Sequence, residues 1–309
     1  MIDIIGKRYW YFALSLLVIV PGLISLALYG LPLAIDYTGG AMLELRLPAG
    51  AAPSSEEMIG IVRQATGFPT ADIRAQPSLQ GTLIIRTREM DAATQARVME
   101  ALRARYGDVV LERFESVGPT VGAEVTRGAL VAVAMASVAI MLYLTFAFRQ
   151  VPHAFRYGVA AVLALLHDVA VVVGAASIFG KVFGWEVDAL FLTAVLTIIG
   201  FSVHDSIVVF DRIRENLLRY RGEPYERIVN HSILQTLDRS LNTQLTLIFT
   251  LVALLLFGGT TIRQFIATLL IGMISGTYSS IFNAAPILVV WEKREWRTWF
   301  RRPAEQPVP

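Results

Sequence analysis

Apolar residues along the chain gather into runs long enough to cross a lipid bilayer. The first run covers about 11–31, and five more follow at about 128–148, 155–179, 189–210, 241–257 and 265–291. A helix needs about 20 mostly apolar residues to span the hydrocarbon core. The fifth run is short and opens on three polar residues, Asn242, Thr243 and Gln244. The pattern predicts a polytopic α-helical membrane protein with six transmembrane helices.

The first run has a competing interpretation as a cleaved signal peptide, because Lys7 and Arg8 precede it. The apolar region of a signal peptide covers about 7–15 residues and is followed by a small-x-small cleavage site. Here the run is longer, and residues 29–32 read YGLP, which is a poor cleavage sequence. We therefore expect the first run to be an uncleaved span.

Lys and Arg in the short connections predict how the six spans are oriented. They are frequent before the first run, in 149–156, in 211–231 and after 292, whereas the alternate short connections hold only Lys181 and Arg263. Short cytoplasmic loops carry such an excess, while long translocated segments are exempt from the rule. Both termini are therefore predicted to be cytoplasmic.

The long connection over 33–126 alternates and caps as a folded domain does. Ser54 and Glu57 have the spacing of a capping box at the start of a helix. The predicted elements, in order, are a strand over 41–47, a helix from Ser54 to Gly67, strands over 72–79 and 82–88 around a turn at Gln80-Gly81, a helix from Asp91 to Gly107, and a strand over 109–116. This order predicts one extracytoplasmic α+β ferredoxin-like domain between transmembrane helices 1 and 2.

The predicted organisation follows from these elements. It consists of the cytoplasmic N-terminus with helix 1 over 1–32, the outer domain over 33–126, helices 2–6 over 127–291 and a cytoplasmic tail over 292–309. The outer segment has no His, no Cys and no glycine loop with phosphate-binding spacing. We therefore expect a binding or scaffolding domain and no enzyme.

Composition changes this picture little. The chain is 55% hydrophobic and 17% charged, against about 25% charged residues in soluble domains. A net charge of +2 gives no reason to expect a nucleic-acid partner. The absence of cysteine excludes disulfides, thiolate metal sites and Cys nucleophiles. We expect no cofactor.

Ionisable residues inside the apolar runs are the candidates for function, because a charge at that depth is costly. The third run holds His167 and Asp168, either as a polar pair that satisfies neighbouring helices or as functional groups. The fourth run holds His204 and Asp205. Asp205 lies about two turns from the cytoplasmic charges. An isolated carboxylate there is expected to be protonated or to face a cation, so a functional role is favoured.

Arg239 directly precedes the fifth run. From the residues alone, it is best interpreted as an interfacial arginine that reaches the lipid headgroups, or as a partner of Asp238. Two adjacent glycines, Gly39 and Gly40, follow the first run and indicate a positive φ or a close approach of backbone. Gly272 and Gly276 have the spacing of closely packed spanning helices.

Five segments, in chain order, carry a resemblance to a known family. The segment IDYTGG (35–40), with Asp36, resembles a D-[FY]-x-G-G motif, and Val117-Gly118-Pro119 followed by Gly122 resembles a V-G-P motif before the second span. LHD (166–168), GFSVHDSIVVFDRIREN (200–216) and RSLNT (239–243) resemble signatures of spans three, four and five. The ordered set covers nearly the whole chain and resembles the SecF family of the bacterial protein-export machinery.

The resemblance implies a multi-pass protein of the bacterial cytoplasmic (inner) membrane. Its partners would be SecD, the SecYEG translocon, YajC, translocating preproteins and membrane lipid. With SecD it would use the proton or sodium motive force to promote translocation, H⁺ or Na⁺ being the coupling ion. The family's ion-transport residues carry over to Asp205 and Arg239, with a third carboxylate from SecD. This replaces the lipid-facing interpretation of Arg239.

The resemblance does not decide the roles of His204 and Asp168, and one alternative function remains to be considered. His204 stands where the family usually has Asn, so it either joins an ion relay or only donates a hydrogen bond, and Asp168 is a further ion-coupling candidate. The alternative function is a small-solute exporter of the resistance-nodulation-division type. It is disfavoured because the outer domain is small and single. No HExxH or rhomboid-like serine motif supports an intramembrane enzyme.

Overall fold

The computed structural model describes residues 2–48, 51, 53–77, 82–259 and 262–297. Within these residues, six helices are long and apolar enough to cross a membrane. The helices are α1 (Arg8–Tyr29), α2 (Ile35–Thr38), α3 (Ser55–Thr66), α4 (Ala92–Tyr106), α5 (Pro119–Ala147), α6 (Phe155–Phe183), α7 (Ala189–Arg219), α8 (Tyr225–Phe257), α9 (Arg263–Ser279) and α10 (Ala285–Lys293). A π-helical turn, Ser280–Ala284, joins α9 to α10, so these two form one spanning element.

The spanning helices are longer than the apolar runs that predicted them. Helix α8 has 33 residues and begins sixteen positions before the short fifth run at 241. Its polar first half is held against the end of α7, where Asn216 Nδ2 donates to Ser232 Oγ and Gln235 Oε1, both at 2.9 Å. The fifth span is therefore present, and hydropathy underestimated its length because polar contacts stabilise the rest of the helix.

The chain divides into two compact units. One contains the described residues of 1–31, 132–185 and 190–309, and the other contains 32–131 together with the short segment 186–189. The helical unit holds most of the spanning residues, while the outer unit holds the sheet. The limits predicted from sequence, 1–32, 33–126, 127–291 and 292–309, also state on which side of the membrane each segment lies. They remain predictions.

The outer unit contains a four-stranded antiparallel sheet. The strands are β1 (Gly40–Arg46), β2 (Arg74–Pro77), β3 (Leu83–Thr87) and β4 (Val110–Val117), in the order β2-β3-β1-β4. Because β3 is antiparallel to both β1 and β2, those two strands run parallel with β3 between them. This is the split βαβ arrangement, and it confirms the ferredoxin-like prediction. The turn predicted at Gln80-Gly81 lies outside the described residues.

Local signals placed the helices of this domain correctly. The Ser54 hydroxyl accepts a hydrogen bond from the Glu57 amide at 3.1 Å, and the Asp91 carboxylate accepts one from the Thr94 amide at 2.9 Å. These caps satisfy amides that a helix start leaves without partners. The helices cover one face of the sheet through a buried apolar cluster that includes Leu43, Leu45, Met58, Val62, Ile85, Val98 and Leu102.

Gly39 and Gly40 meet both conditions predicted for them. Their φ angles are +71° and +120°, a region that side chains disfavour. A Cβ on Gly39 would lie 2.7 Å from Pro119 Cα, and one on Gly40 would lie 2.7 Å from the carbonyl oxygen of Thr87. The glycine pair therefore lets the chain turn from the end of α2 into β1.

We expect Gly40→Ala to destabilise the protein, because strained backbone costs about 1–3 kcal/mol and the new methyl group would meet backbone. Gly60→Ala is the matched control, since a Cβ on Gly60 meets nothing within 4 Å in helix α3. Alanine there is expected to be neutral or mildly stabilising. Thermal unfolding of the purified proteins in detergent measures both, and equal melting temperatures for the two variants would contradict the prediction.

Candidate functional site

The buried carboxylate of Asp168 is the centre of a hydrogen-bond cluster within the helical unit. Its oxygens accept from three hydroxyl groups, Ser202 Oγ at 2.6 Å and Ser275 Oγ and Ser279 Oγ at 2.7 Å each. These serines belong to α7 and α9, so one carboxylate ties α6 to two other spanning elements. A buried carboxylate needs several donors to offset lost hydration, and here neighbouring helices supply them.

His167 completes this cluster. Its Nδ1 lies 3.0 Å from Asp168 Oδ1, and its ring stacks on Tyr278 with centroids 6.1 Å apart. Its Nε2 is buried and has no hydrogen-bond partner among the described residues. The His167–Asp168 pair thus satisfies its neighbours, as one of the two sequence interpretations expected. The ion-coupling role of Asp168 stays a prediction.

Close helix approach brings the serines to Asp168. A Cβ on Gly272 would lie 2.1 Å from Ile198 Cδ1, and one on Gly276 would lie 3.2 Å from Ser202 Cβ. Because Gly272 and Gly276 have no side chain, α9 can lie against α7 at the level of the cluster. The glycine spacing in the sequence therefore positions polar groups as well as packing surfaces.

Asp205 is the second buried carboxylate, and only 3% of it is exposed. It accepts a hydrogen bond from the side-chain amide of Gln244, which is also buried, on α8. His204 Nδ1 lies 3.6 Å from Asp205 Oδ1, but the His204 side chain is 61% exposed. Asp205 therefore faces a neutral donor inside the bundle and has a titratable neighbour on the open surface of the same helix.

Arg239 is not brought to Asp205 in this structure. It is exposed, and its guanidinium forms no ion pair within the described part of the chain. Gln244 follows Arg239 by five positions, which places the two side chains about 140° apart around the helix. Because Gln244 faces Asp205, Arg239 must face elsewhere, and the predicted pairing stays a prediction.

Arg239 begins a polar stripe along the outer face of α8. Residues at i, i+3, i+4, i+7 and i+11 share one helix face, and here they are Arg239, Asn242, Thr243, Thr246 and Thr250, all exposed. The threonine hydroxyls donate to carbonyls four residues earlier at 2.9–3.0 Å. The Arg239 guanidinium and the Asn242 amide are left exposed, and contact with lipid hydrocarbon would be energetically costly for both groups.

The remaining predicted motif residues lie in the outer unit. Asp36 is in α2, where its Oδ2 accepts a hydrogen bond from the backbone amide of Ala189 at 2.9 Å. Gly118 and Pro119 mark the end of β4 and the start of α5, and Pro119 lies beside Gly39. These residues belong to a junction of chain segments and not to either buried carboxylate.

Sequence reasoning missed Gln244, Ser275 and Ser279 as site residues. Their signals were weak: a glutamine near the start of a hydrophobic run, and two serines at i and i+4 spacing in a span rich in small residues. Within the described residues, no group of three or more His, Asp or Glu side chains is arranged to hold a metal ion. The arrangement supplies two buried carboxylates, Asp168 accepting hydrogen bonds from serine hydroxyls and Asp205 accepting one from the Gln244 amide.

Comparison with known proteins identifies relatives along the whole chain. Residues 97–294 match the family "Protein export membrane protein SecD/SecF, C-terminal". The protein translocase subunit SecF of Anaerolinea thermophila is 50% identical over 307 residues, which cover 99% of both chains. The protein translocase subunit SecDF of Bacillus subtilis is 35% identical, over 95% of this chain and 38% of that protein.

The fold has the same relatives. The crystal structure of SecDF from Thermus thermophilus aligns with a TM-score of 0.81 at 33% identity. The alignment covers 95% of this chain but 39% of the solved one, so this chain matches one part of that longer SecDF chain. By family match, full-length similarity and fold, the chain belongs to the SecF side of the SecD/SecF family of protein-export membrane proteins.

Proposed function

We propose that this SecF-family subunit of the Sec export machinery uses the proton or sodium motive force, together with SecD, to promote preprotein translocation. The observation that carries the proposal is Asp205, a carboxylate buried in a spanning helix opposite the neutral amide of Gln244. A fixed cation beside it would hold it ionised. A neutral partner lets it bind and release a small cation.

The free energy released when an ion crosses the membrane at such a site is large enough to bias a domain movement. Moving one charge through 100 mV yields about 2.3 kcal/mol. A domain movement between two positions requires a bias of only a few kcal/mol. A few ions passing Asp205 would therefore suffice to favour one position of the outer domain over another during export.

Arg239 supplies the opposite charge in this proposal. Its stripe on α8 is polar and exposed, and contact with lipid would be costly for it, which favours cover by another protein. SecDF of Bacillus subtilis and of Thermus thermophilus extends well beyond the part that this chain matches. Homology to such fusions implies SecD as the partner, and we place SecD on this stripe. Movement of Arg239 between Asp205 and a SecD carboxylate would then load and release the ion.

The other partners follow from the same proposal. The subunit would act beside the SecYEG translocon, with YajC, on preproteins emerging outside the membrane. The family assignment favours protein export over the alternative of small-solute export. We propose an auxiliary role for His204. Its exposed ring and its 3.6 Å separation from Asp205 suit a group that joins the site when the partner covers it.

The experiment that tests this function uses membrane vesicles from cells that lack their own SecD and SecF. Vesicles containing this chain and its SecD should complete preprotein translocation faster when an ion gradient is imposed. Collapsing the gradient with an ionophore should remove the increase. An increase that is the same with and without the gradient would contradict the proposal.

The proposed topology has both termini in the cytoplasm and residues 33–126 outside. The chain has no cysteine, so single-cysteine variants report sidedness cleanly. Glu100→Cys lies on an exposed position of α4, and Glu223→Cys lies on an exposed position between α7 and α8. A membrane-impermeant maleimide should label the first in intact cells and the second only after lysis. The reverse pattern would overturn the orientation.

A further inference from the structure

The segment 35–40 resembles a family motif, yet none of its residues contacts Asp205 or Asp168. In the outer unit this part of the chain is bound to the segment 186–189, which leads into α7 and ends at its first residue. The Ala34 amide donates to the carbonyl oxygen of Val187 at 2.9 Å, and the Val187 amide donates to that of Pro32 at 2.8 Å. These two bonds make a short parallel bridge between segments far apart in sequence.

Asp36 extends this bridge to the first residue of α7. Its Oδ2 accepts the backbone amide of Ala189 at 2.9 Å. The first amides of a helix have no partner within the helix, and the positive end of the helix dipole lies there. A carboxylate at that position satisfies an amide and complements the dipole. Helix α7 is thus capped by a residue 153 positions earlier in the chain.

Two more contacts hold the same segment. The Tyr37 hydroxyl donates to the carbonyl oxygen of Asp188 at 3.0 Å. Burial raises the pKa of Tyr37, and the carboxylates of Asp188 and Asp36 raise it further, so the hydroxyl remains a donor at physiological pH. Arg86 of β3 forms an ion pair with Glu186. The segment 186–189 is therefore bound both by the motif and by strand β3 of the sheet.

Helix α7 is continuous from this junction to Asp205. Asp205 lies sixteen positions after Ala189, which is about 24 Å along the helix. We infer that Asp36 is a positioning residue for ion coupling: by capping α7 it makes the outer domain follow the helix that carries Asp205. The inference rests on the proposed function. Ion binding at Asp205 would displace α7, and the cap would transmit that displacement to the sheet.

The test measures two quantities on the assembled complex with SecD: ion flux, and gradient-driven export. Loss of a side chain that caps a helix shifts the equilibrium between the formed and the frayed helix start about fivefold. Asp36→Ala should therefore leave ion flux near the wild-type value while export per ion moved falls about fivefold. Asp36→Asn retains a good capping group and should keep the ratio near wild type.

Thr38→Val is the matched control, because among the described residues the Thr38 hydroxyl donates to the Ala34 and Gly39 carbonyls and not to 186–189. Tyr37→Phe is the second variant if Asp36→Ala does not assemble, and it should lower the same ratio to a smaller extent. Amide hydrogen exchange over the first turn of α7 should accelerate in both weakened variants and not in the control.

The outcomes separate the inference from the proposed function. An unchanged export-to-flux ratio in Asp36→Ala and Tyr37→Phe, or a proportional loss of flux and export in both, overturns the positioning role. Absence of ion flux in the wild-type complex overturns the proposed function instead. Selective loss of export per ion, with Thr38→Val unaffected, supports the inference.

Discussion

Replacing Asp205 by Asn is expected to abolish ion-driven stimulation of export while the subunit still folds and assembles with SecD. Asn has nearly the same size, and its side-chain oxygen can still accept the hydrogen bond from Gln244. The variant therefore keeps the packing and loses only the ability to change charge. The measurement is translocation of a preprotein in vesicles with and without an imposed gradient, after co-purification has established assembly.

Asp211→Asn is the control for this prediction. Asp211 lies on the same helix, is exposed, and pairs with Arg214 at 2.8 Å. It should retain the stimulation, since its charge is already in contact with water. Arg239→Met should behave like Asp205→Asn, because it removes the cation that the proposed cycle brings to Asp205. An Asp205→Asn complex that assembles and is stimulated at the wild-type rate would exclude Asp205 as the coupling carboxylate.

Replacing Asp168 by Ala is expected to cause the largest loss of stability in the spanning region. The substitution removes the common acceptor of three buried serine hydroxyls. A buried donor left without a partner costs about 1–3 kcal/mol. Ser279 has an alternative acceptor in the Gly276 carbonyl at 3.3 Å, so the full sum is not expected. We expect a lower melting temperature in detergent and less protein in the membrane.

Asp168→Asn should fall between Asp168→Ala and the wild type. It keeps the volume of the side chain but replaces one acceptor oxygen with a donor group. Thr250→Val is the control, because within the described part of the chain that exposed threonine donates to Thr246 of its own helix, at 3.0 Å. A wild-type melting temperature for Asp168→Ala would contradict the structural role. Normal stability of Asp168→Asn with lost ion flux would instead assign Asp168 to the coupling site.

Local patterns in the sequence were sufficient for most of the fold. Hydropathy predicted the six spans because apolar length is a property of each segment alone. The split βαβ order of the outer domain was predictable because Ser54 and Asp91 cap their helices through amides three residues away. The extent of α8 was missed, since its polar half depends on contacts such as that between Asn216 and Ser232.

The candidate site was predictable in part. Asp205 and Asp168 stood out because a carboxylate in an apolar run is rare. Their partners did not, since Gln244 is 39 positions from Asp205, and Ser275 is 107 positions from Asp168. Such contacts depend on how helices rotate and approach, which one sequence does not specify. The same holds for Asp36, whose capping of α7 depends on the packing of distant segments.

Ion movement through the assembled complex is the most direct measurement of the proposed coupling. Purified complex of this chain with its SecD is reconstituted into vesicles that contain a pH-sensitive or Na⁺-sensitive dye, and a gradient is imposed. Wild-type vesicles should take up H⁺ or Na⁺ faster than vesicles containing the Asp205→Asn complex, which should match protein-free vesicles. Uptake of both ions by the wild-type complex at the protein-free rate would contradict the coupling role.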